Sequence, residues 1–225
     1  MKKIVMILIL GCAVFSSADA KVNIYYTNGI DTSDLEAQNS RDLLIEKLKK
    51  AGILNDPAIE TIKDDHGEEH NVTLIYNFTR GTMDDLLETF FQIRESGQLD
   101  DVGFFLFVGA LLSGNPILPV AVLTAAVAPM QDIQKIEQDT VDKMIEAYTK
   151  YSVDKGNQIM LVSHSQGNLF ANRVFDELNA TGYDYKNFAN VQVAPPADRV
   201  HAPIGKHITV CGDMVINPIP HSMRL

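Results

Sequence analysis

The chain has 225 residues, long enough for one sizeable domain with a substantial core. Its residues are 46% hydrophobic and 21% charged, a globular balance that excludes wholesale disorder. A formal net charge of -10 argues against nucleic acid as a partner, and two cysteines are too few for a disulfide scaffold or a four-thiolate zinc site.

The chain opens with Lys2 and Lys3, an apolar run from Ile4 to Leu10, and small residues leading to Ala18-Asp19-Ala20. This is the three-part pattern of a signal peptide, so residues 1–20 are expected to be removed on export to the periplasm or beyond. Cys12, in a lipobox-like Ile9-Leu10-Gly11-Cys12, offers a lipid-anchored form as the alternative. The remaining cysteine, Cys211, sits in an apolar run and reads as a buried thiol.

Strand and helix signals then alternate. Val22 to Tyr26 is a short β-rich run ending at the turn pair Asn28-Gly29. Ser33 with Glu36 forms a capping box, and Gly52 follows Lys49 and Lys50, so a helix is expected between them with Leu35, Leu43, Leu44 and Leu48 on its apolar face. Asp64 to His70 reads as a polar loop. Within it, His66-Gly67-Glu68-Glu69-His70 fits a zinc-peptidase pattern, but that chemistry needs a helix, which Gly67 disfavours. Val72 to Tyr76 predicts a second strand and Thr82 to Arg94 an amphipathic helix.

Val102 to Met130 contains no charged residue and is divided by Ser113-Gly114-Asn115-Pro116. Three readings stand: a pair of buried helices, an apolar cap over a lipid-binding cleft, or a broken membrane segment. Beyond it, Asp132 to Tyr151 predicts a helix, Ile159 to Ser163 a strand, Leu169 to Leu178 a helix, and Phe188 to Ala194 and Ile208 to Cys211 two more strands. Unbroken apolar strands such as Ile159-Met160-Leu161-Val162 suit a sheet covered on both faces. The expected fold is α/β: a mostly parallel sheet with helices on both faces and an apolar cap or insertion at 102–130.

Leu161-Val162-Ser163-His164-Ser165-Gln166-Gly167-Asn168 carries the chemistry. It is S-x-S-x-G, a variant of G-x-S-x-G, set between a strand and a helix. A serine on so tight a turn projects its hydroxyl into a cleft, and small residues two positions to either side let strand and helix approach. The segment resembles the nucleophile elbow of the α/β-hydrolase superfamily, and the chain is similar to its exported bacterial lipases and esterases. Ile24 to Ile30 resembles the strand and turn that supply part of the oxyanion hole, and Tyr76-Asn77 also fits the pattern.

The resemblance implies a serine hydrolase cleaving carboxylic esters through an acyl-enzyme, with no cofactor or metal; the uncharged 102–130 stretch adds the expectation of a lipid or acyl substrate and of peripheral membrane contact. Ser165 is the implied nucleophile, and Gln166 with Gly29 or Ile30 the oxyanion donors. Asp213, in Gly212-Asp213-Met214-Val215, is the implied acid, with Asp198 the alternative. His221 is the implied base; His201 and His207 would require an unusual order, and His164 is expected to point away from the nucleophile. The short stretch after Asp213 motivates the rival reading, a catalytically inactive hydrolase fold that binds lipid or a protein partner. A zinc hydrolase using His66 and His70 is a third.

Overall fold

A computed structural model describes residues 20–29, 32–63, 68–77, 89, 92, 130–182, 187–210 and 222–223. The described elements are β1 (Val22–Thr27), α1 (Asp34–Lys50), β2 (Ile62–Lys63), β3 (Glu69–His70), β4 (Thr73–Leu74), α2 (Met130–Tyr151), β5 (Gln158–His164), α3 (Gly167–Ala180), β6 (Phe188–Val193) and β7 (Ile204–Ile208). Five strands form one sheet in the order β4-β1-β5-β6-β7, and every pairing in it is parallel. The expected α/β class with a parallel sheet is therefore what the chain adopts.

Apolar residues on alternate sides of the strands explain the layers. Tyr25, Ile159, Leu161 and Phe188 face Val141, Met144 and Tyr148 of α2 and Phe170, Val174 and Leu178 of α3. Ile24, Tyr26, Met160, Val162 and Val191 face the opposite way, onto Leu48 of α1. Helices thus cover both faces. Complete burial of a leucine such as Leu48 contributes about 2 kcal/mol. Tyr25 and Tyr148 pack edge to face with centroids 4.6 Å apart. Burial raises the Tyr26 phenol above its ordinary pKa, an effect partly offset by its hydrogen bond to Ser40.

Buried polar groups also hold the sheet. At the N-terminal ends of β1 and β5, Ser152 Oγ donates to Asn23 Oδ1 at 2.9 Å and lies 2.6 Å from Tyr25 Oη. Asn157 Nδ2 donates to Asn23 Oδ1 and to Glu60, so this edge is closed by side-chain bonds.

Several elements depart from the sequence expectation. The capping box at Ser33 and Glu36 forms as read, and Gly52 takes the left-handed conformation just past the helix at φ 78°. Yet Leu35 and Leu43 are 67% and 50% exposed; Ala37, Leu44, Ile45 and Leu48 make the packed stripe instead. The helix docks through the stripe that fits the sheet, not through every leucine. Of the expected polar loop Asp64 to His70, Glu69 and His70 form a strand instead, antiparallel to β2 with His70 opposite Ile62 and Glu69 opposite Lys63, while residues 64–67 lie outside the described residues. The ladder of β4 is shorter than Val72 to Tyr76 suggested, although Ile75 N–H continues it to Tyr26 O at 2.9 Å.

The last described strand lies earlier than the apolar run Ile208 to Cys211. Its position is set by register against β6, from Ala189 opposite Ile204 to Val193 opposite Ile208. β7 is the outermost described strand beyond β6 and only partly buried, so it tolerates Lys206 and His207, which a search for buried runs passes over. Gly205 is required here, because a Cβ would stand 2.8 Å from Val200 Cγ1. Of the expected helix Thr82 to Arg94, Thr89 and Gln92 are helical and buried; the rest lies outside the described residues. The signal-like segment before Ala20 and the uncharged stretch before Met130 lie outside them too, as does Cys211. Among the described residues no helix is long and apolar enough to cross a membrane.

The strand order positions the site. From β1 the chain reaches β4 on one side, then crosses to β5 on the other and continues outward through β6 and β7. The direction of winding reverses between β1 and β5. In open parallel sheets the crevice for a ligand opens at the C-terminal ends of the two strands flanking such a reversal. Here those ends are Thr27-Asn28-Gly29 and Ser163-His164-Ser165.

Candidate functional site

Ser165 stands between the last residue of β5 and the first turn of α3 with φ 52°. A left-handed backbone at a residue with a Cβ costs about 1 kcal/mol and persists only where neighbours enforce it. The neighbours here are specific. Ser165 N–H donates to Val193 O at 2.9 Å, tying the turn to the end of β6. Asn168, fully buried, donates from Nδ2 to Ser165 O at 2.7 Å and to Val193 O at 2.9 Å. Ala194, the residue after that shared carbonyl, is itself left-handed at φ 49°.

Ser163 is small, as a tight turn demands, but it also bonds. Its hydroxyl lies 2.7 Å from Asn168 Oδ1 and 3.1 Å from Asn190 Oδ1. One hydroxyl proton serves one acceptor, so the bonding closes when Ser163 donates to Asn168 and the Asn190 amide turns its NH2 toward the hydroxyl. That turn also gives a partner to Asn190 Nδ2, a buried donor otherwise unmatched.

The end of β1 presses into this turn. A Cβ on Gly29 would lie 2.6 Å from Ser165 Cβ, 3.2 Å from its Oγ and 3.0 Å from His164 Nδ1. A Cβ on Gly167 would lie 2.6 Å from Asn28 O and 3.2 Å from Thr27 O. The sequence reading assigned the small residue at 167 to contact between its own strand and helix. The structure assigns it to the neighbouring strand, whose carbonyls occupy the space.

A chain of amides spans the same edge. Asn28 Nδ2 donates to Asn77 O, and Asn77 N–H donates to Asn28 Oδ1, both at 2.8 Å. Asn28 Nδ2 also reaches Gly29 O at 3.0 Å. Asn77 Nδ2 then donates to Gln166 Oε1 at 2.8 Å. All three side chains are buried, so the ends of β1 and β4 and the start of α3 are joined without relying on water.

The structure therefore brings Ser165, Gln166 and Gly29 together: Ser165 half-buried, Gln166 and Gly29 buried. Ile30, Asp213 and His221 lie outside the described residues. The two residues after His221 return to the C-terminal edge of the sheet: Met223 N–H donates to Ala197 O at 3.0 Å, and Thr209 Oγ1 donates to Met223 O at 2.7 Å. Asp198 is exposed on the connection between β6 and β7.

His201 is committed elsewhere. Arg199 Nε donates to its Nε2 at 2.6 Å, and its Nδ1 lies 2.7 Å from Asp176 Oδ2 on α3. His207 lies within β7. His164, expected to point away from Ser165, sets Nδ1 on the Gly29 side, where Oγ also lies. Strand alternation fails as a guide there because Ser165 has left the extended conformation. The zinc pattern loses its helix, since Glu69 and His70 belong to a strand; His66 lies outside the described residues. Among the described residues no three His, Cys, Asp or Glu side chains are grouped to hold a metal.

In the sequence Asn28 reads as a turn former and Asn77 as part of the family resemblance, and nothing local marks Asn168. Their shared signal is position: Asn28 and Asn77 follow the ends of β1 and β4, and Asn168 stands in the first turn of α3. The chain matches no protein family, no curated protein and no solved structure.

Proposed function

We propose that this chain is a serine hydrolase of the α/β-hydrolase type, cleaving carboxylic esters through an acyl-enzyme. The observation that carries this reading is the left-handed Ser165, held between a buried strand and a helix at the point where the sheet's winding reverses. Ala194 beside it is also left-handed, so the reading rests on the backbone conformation together with the half-buried hydroxyl's place at the reversal point.

In this reading Ser165 Oγ attacks the ester carbonyl while a histidine takes its proton. The tetrahedral intermediate places its oxyanion against the backbone N–H of Gln166 and that of Gly29 or Ile30. Collapse expels the alcohol, and water releases the acid by the reverse sequence. His221 is the base and Asp213 its orienting carboxylate, on the order of the two along the chain. The anchoring of Met223 at the C-terminal edge of β6 and β7 supports a base arriving from that segment. An apolar acyl group suits the uncharged 102–130 stretch, and export follows from the signal-like start.

A fluorophosphonate probe on the purified chain, read by mass spectrometry, tests this. The expected adduct sits on Ser165 and vanishes in Ser165→Ala, while His221→Ala and Asp213→Asn lower ester turnover by about 10³- to 10⁴-fold. A folded wild-type chain that takes no label overturns the enzyme and leaves a binding protein on the same fold.

A further inference from the structure

We infer that Asn77 is a positioning residue that sets the spacing between the two arms of the oxyanion hole; this rests on the serine-hydrolase reading. One arm is the backbone of Gln166, at the start of α3. The other is the turn after β1, at Gly29. These arms come from segments far apart in sequence, and an oxyanion is stabilised only by donors already held in place when charge develops.

Asn77 touches both sides. Its side-chain Nδ2 holds Gln166 Oε1 at 2.8 Å, while its backbone N–H and C=O are both bonded to the Asn28 side chain at 2.8 Å. Asn28 in turn bonds the carbonyl of Gly29 at 3.0 Å. The ladder between β1 and β4 covers only Tyr25 and Tyr26, so beyond Ile75 the Asn28 amide takes the place of the next backbone rung. Asn77 and Gln166 are 3% and 1% exposed, so water does not compete for their bond. The hydrogen bonds of Asn77 go to Asn28 and Gln166 and not to Oγ, so its effect is exerted through Gln166 and Gly29.

The test uses the full chain and a p-nitrophenyl ester, with fluorophosphonate labelling of the wild type alongside. Asn77→Leu and the milder Asn77→Ser, which keeps the backbone bonds to Asn28, are expected to lower kcat by about 10- to 100-fold, less than or equal to the loss of a whole oxyanion donor. KM is expected to change by less than about threefold, because the link acts on the transition state. Gln166→Met cuts the same link from its other end, so the double variant with Asn77→Ser is expected to be no slower than the slower single variant. Val174→Ala, a core change remote from this link, is the control for lowered thermal stability and is expected to keep kcat. Unchanged kcat in both Asn77 variants, losses that multiply in the double variant, or an equal kcat loss in Val174→Ala overturns the role of Asn77 while leaving the hydrolase standing. A wild-type chain with neither label nor turnover overturns both.

Discussion

Gly29 and Ser165 meet so closely that a methyl group on Gly29 would stand 2.6 Å from Ser165 Cβ. The two residues belong to the ends of adjacent parallel strands, paired from Val22 opposite Gln158 to Thr27 opposite Ser163. That register delivers the turn after β1 onto the serine.

Gly29→Ala is expected to displace Ser165 rather than be absorbed, because the nearest atom is a Cβ fixed to the backbone and not the end of a flexible side chain. The cost is about 1–3 kcal/mol in stability, in the range of an overpacked core. Urea denaturation measures that cost. Fluorophosphonate labelling of Ser165 should slow by more than about tenfold in the same variant, a 1 Å displacement being enough for such losses.

Ser165→Gly separates strain from chemistry. Glycine occupies the left-handed region without a Cβ penalty, although it gains freedom in the unfolded chain. Stability is expected to stay level or rise by up to about 1 kcal/mol while labelling disappears. A fall in melting temperature beyond a few degrees would show that Ser165 is not held against its own preference.

Tyr148 makes folding sensitive to alkali. Its ring is fully buried, its Oη finds no partner among the described residues, and burial pushes the phenol well above its ordinary pKa of 10.0. The folded state therefore retains a proton that the unfolded chain releases. The stabilising term is complete below pH 10 and is lost as pH rises from there toward the folded pKa. Tyr148→Phe is expected to flatten the decline in melting temperature above pH 10. At neutral pH it should cost little, since it removes an unmatched hydroxyl rather than a hydrogen bond.

Glu36 acts in the opposite direction. Bonds from the Ser33 hydroxyl and backbone N–H hold its carboxyl below the ordinary carboxylate range. Its support for α1 is present above that range and lost as pH falls through the folded pKa. Helix content followed by circular dichroism from pH 6 to pH 2 should fall less steeply in Glu36→Gln. An unchanged acid limb would remove the capping box as its source.

Local signals were legible where one residue type has one physical use. Ser33 and Glu36 announced the start of α1, and Asn28-Gly29 announced the end of β1. The S-x-S-x-G spacing announced a tight strand-to-helix turn at Ser165. Leu35 and Leu43 were misread because an apolar residue signals a buried face only once the docking surface is known. β7 starts earlier than its apolar run because a partly exposed strand leaves no unbroken apolar stretch.

The amino-acid sequence alone determined the parallel α/β class, the capped start of α1 and the serine-bearing turn, since hydrophobic period, capping and turn chemistry act over a few neighbouring residues. Tertiary structure decided that Gly29 lies against Ser165, that Gly167 makes room for the carbonyl of Asn28, and that Asn28, Asn77 and Gln166 form one chain. Those relations depend on strand order and register. These are set by packing between segments distant along the chain, and no local spacing encodes them.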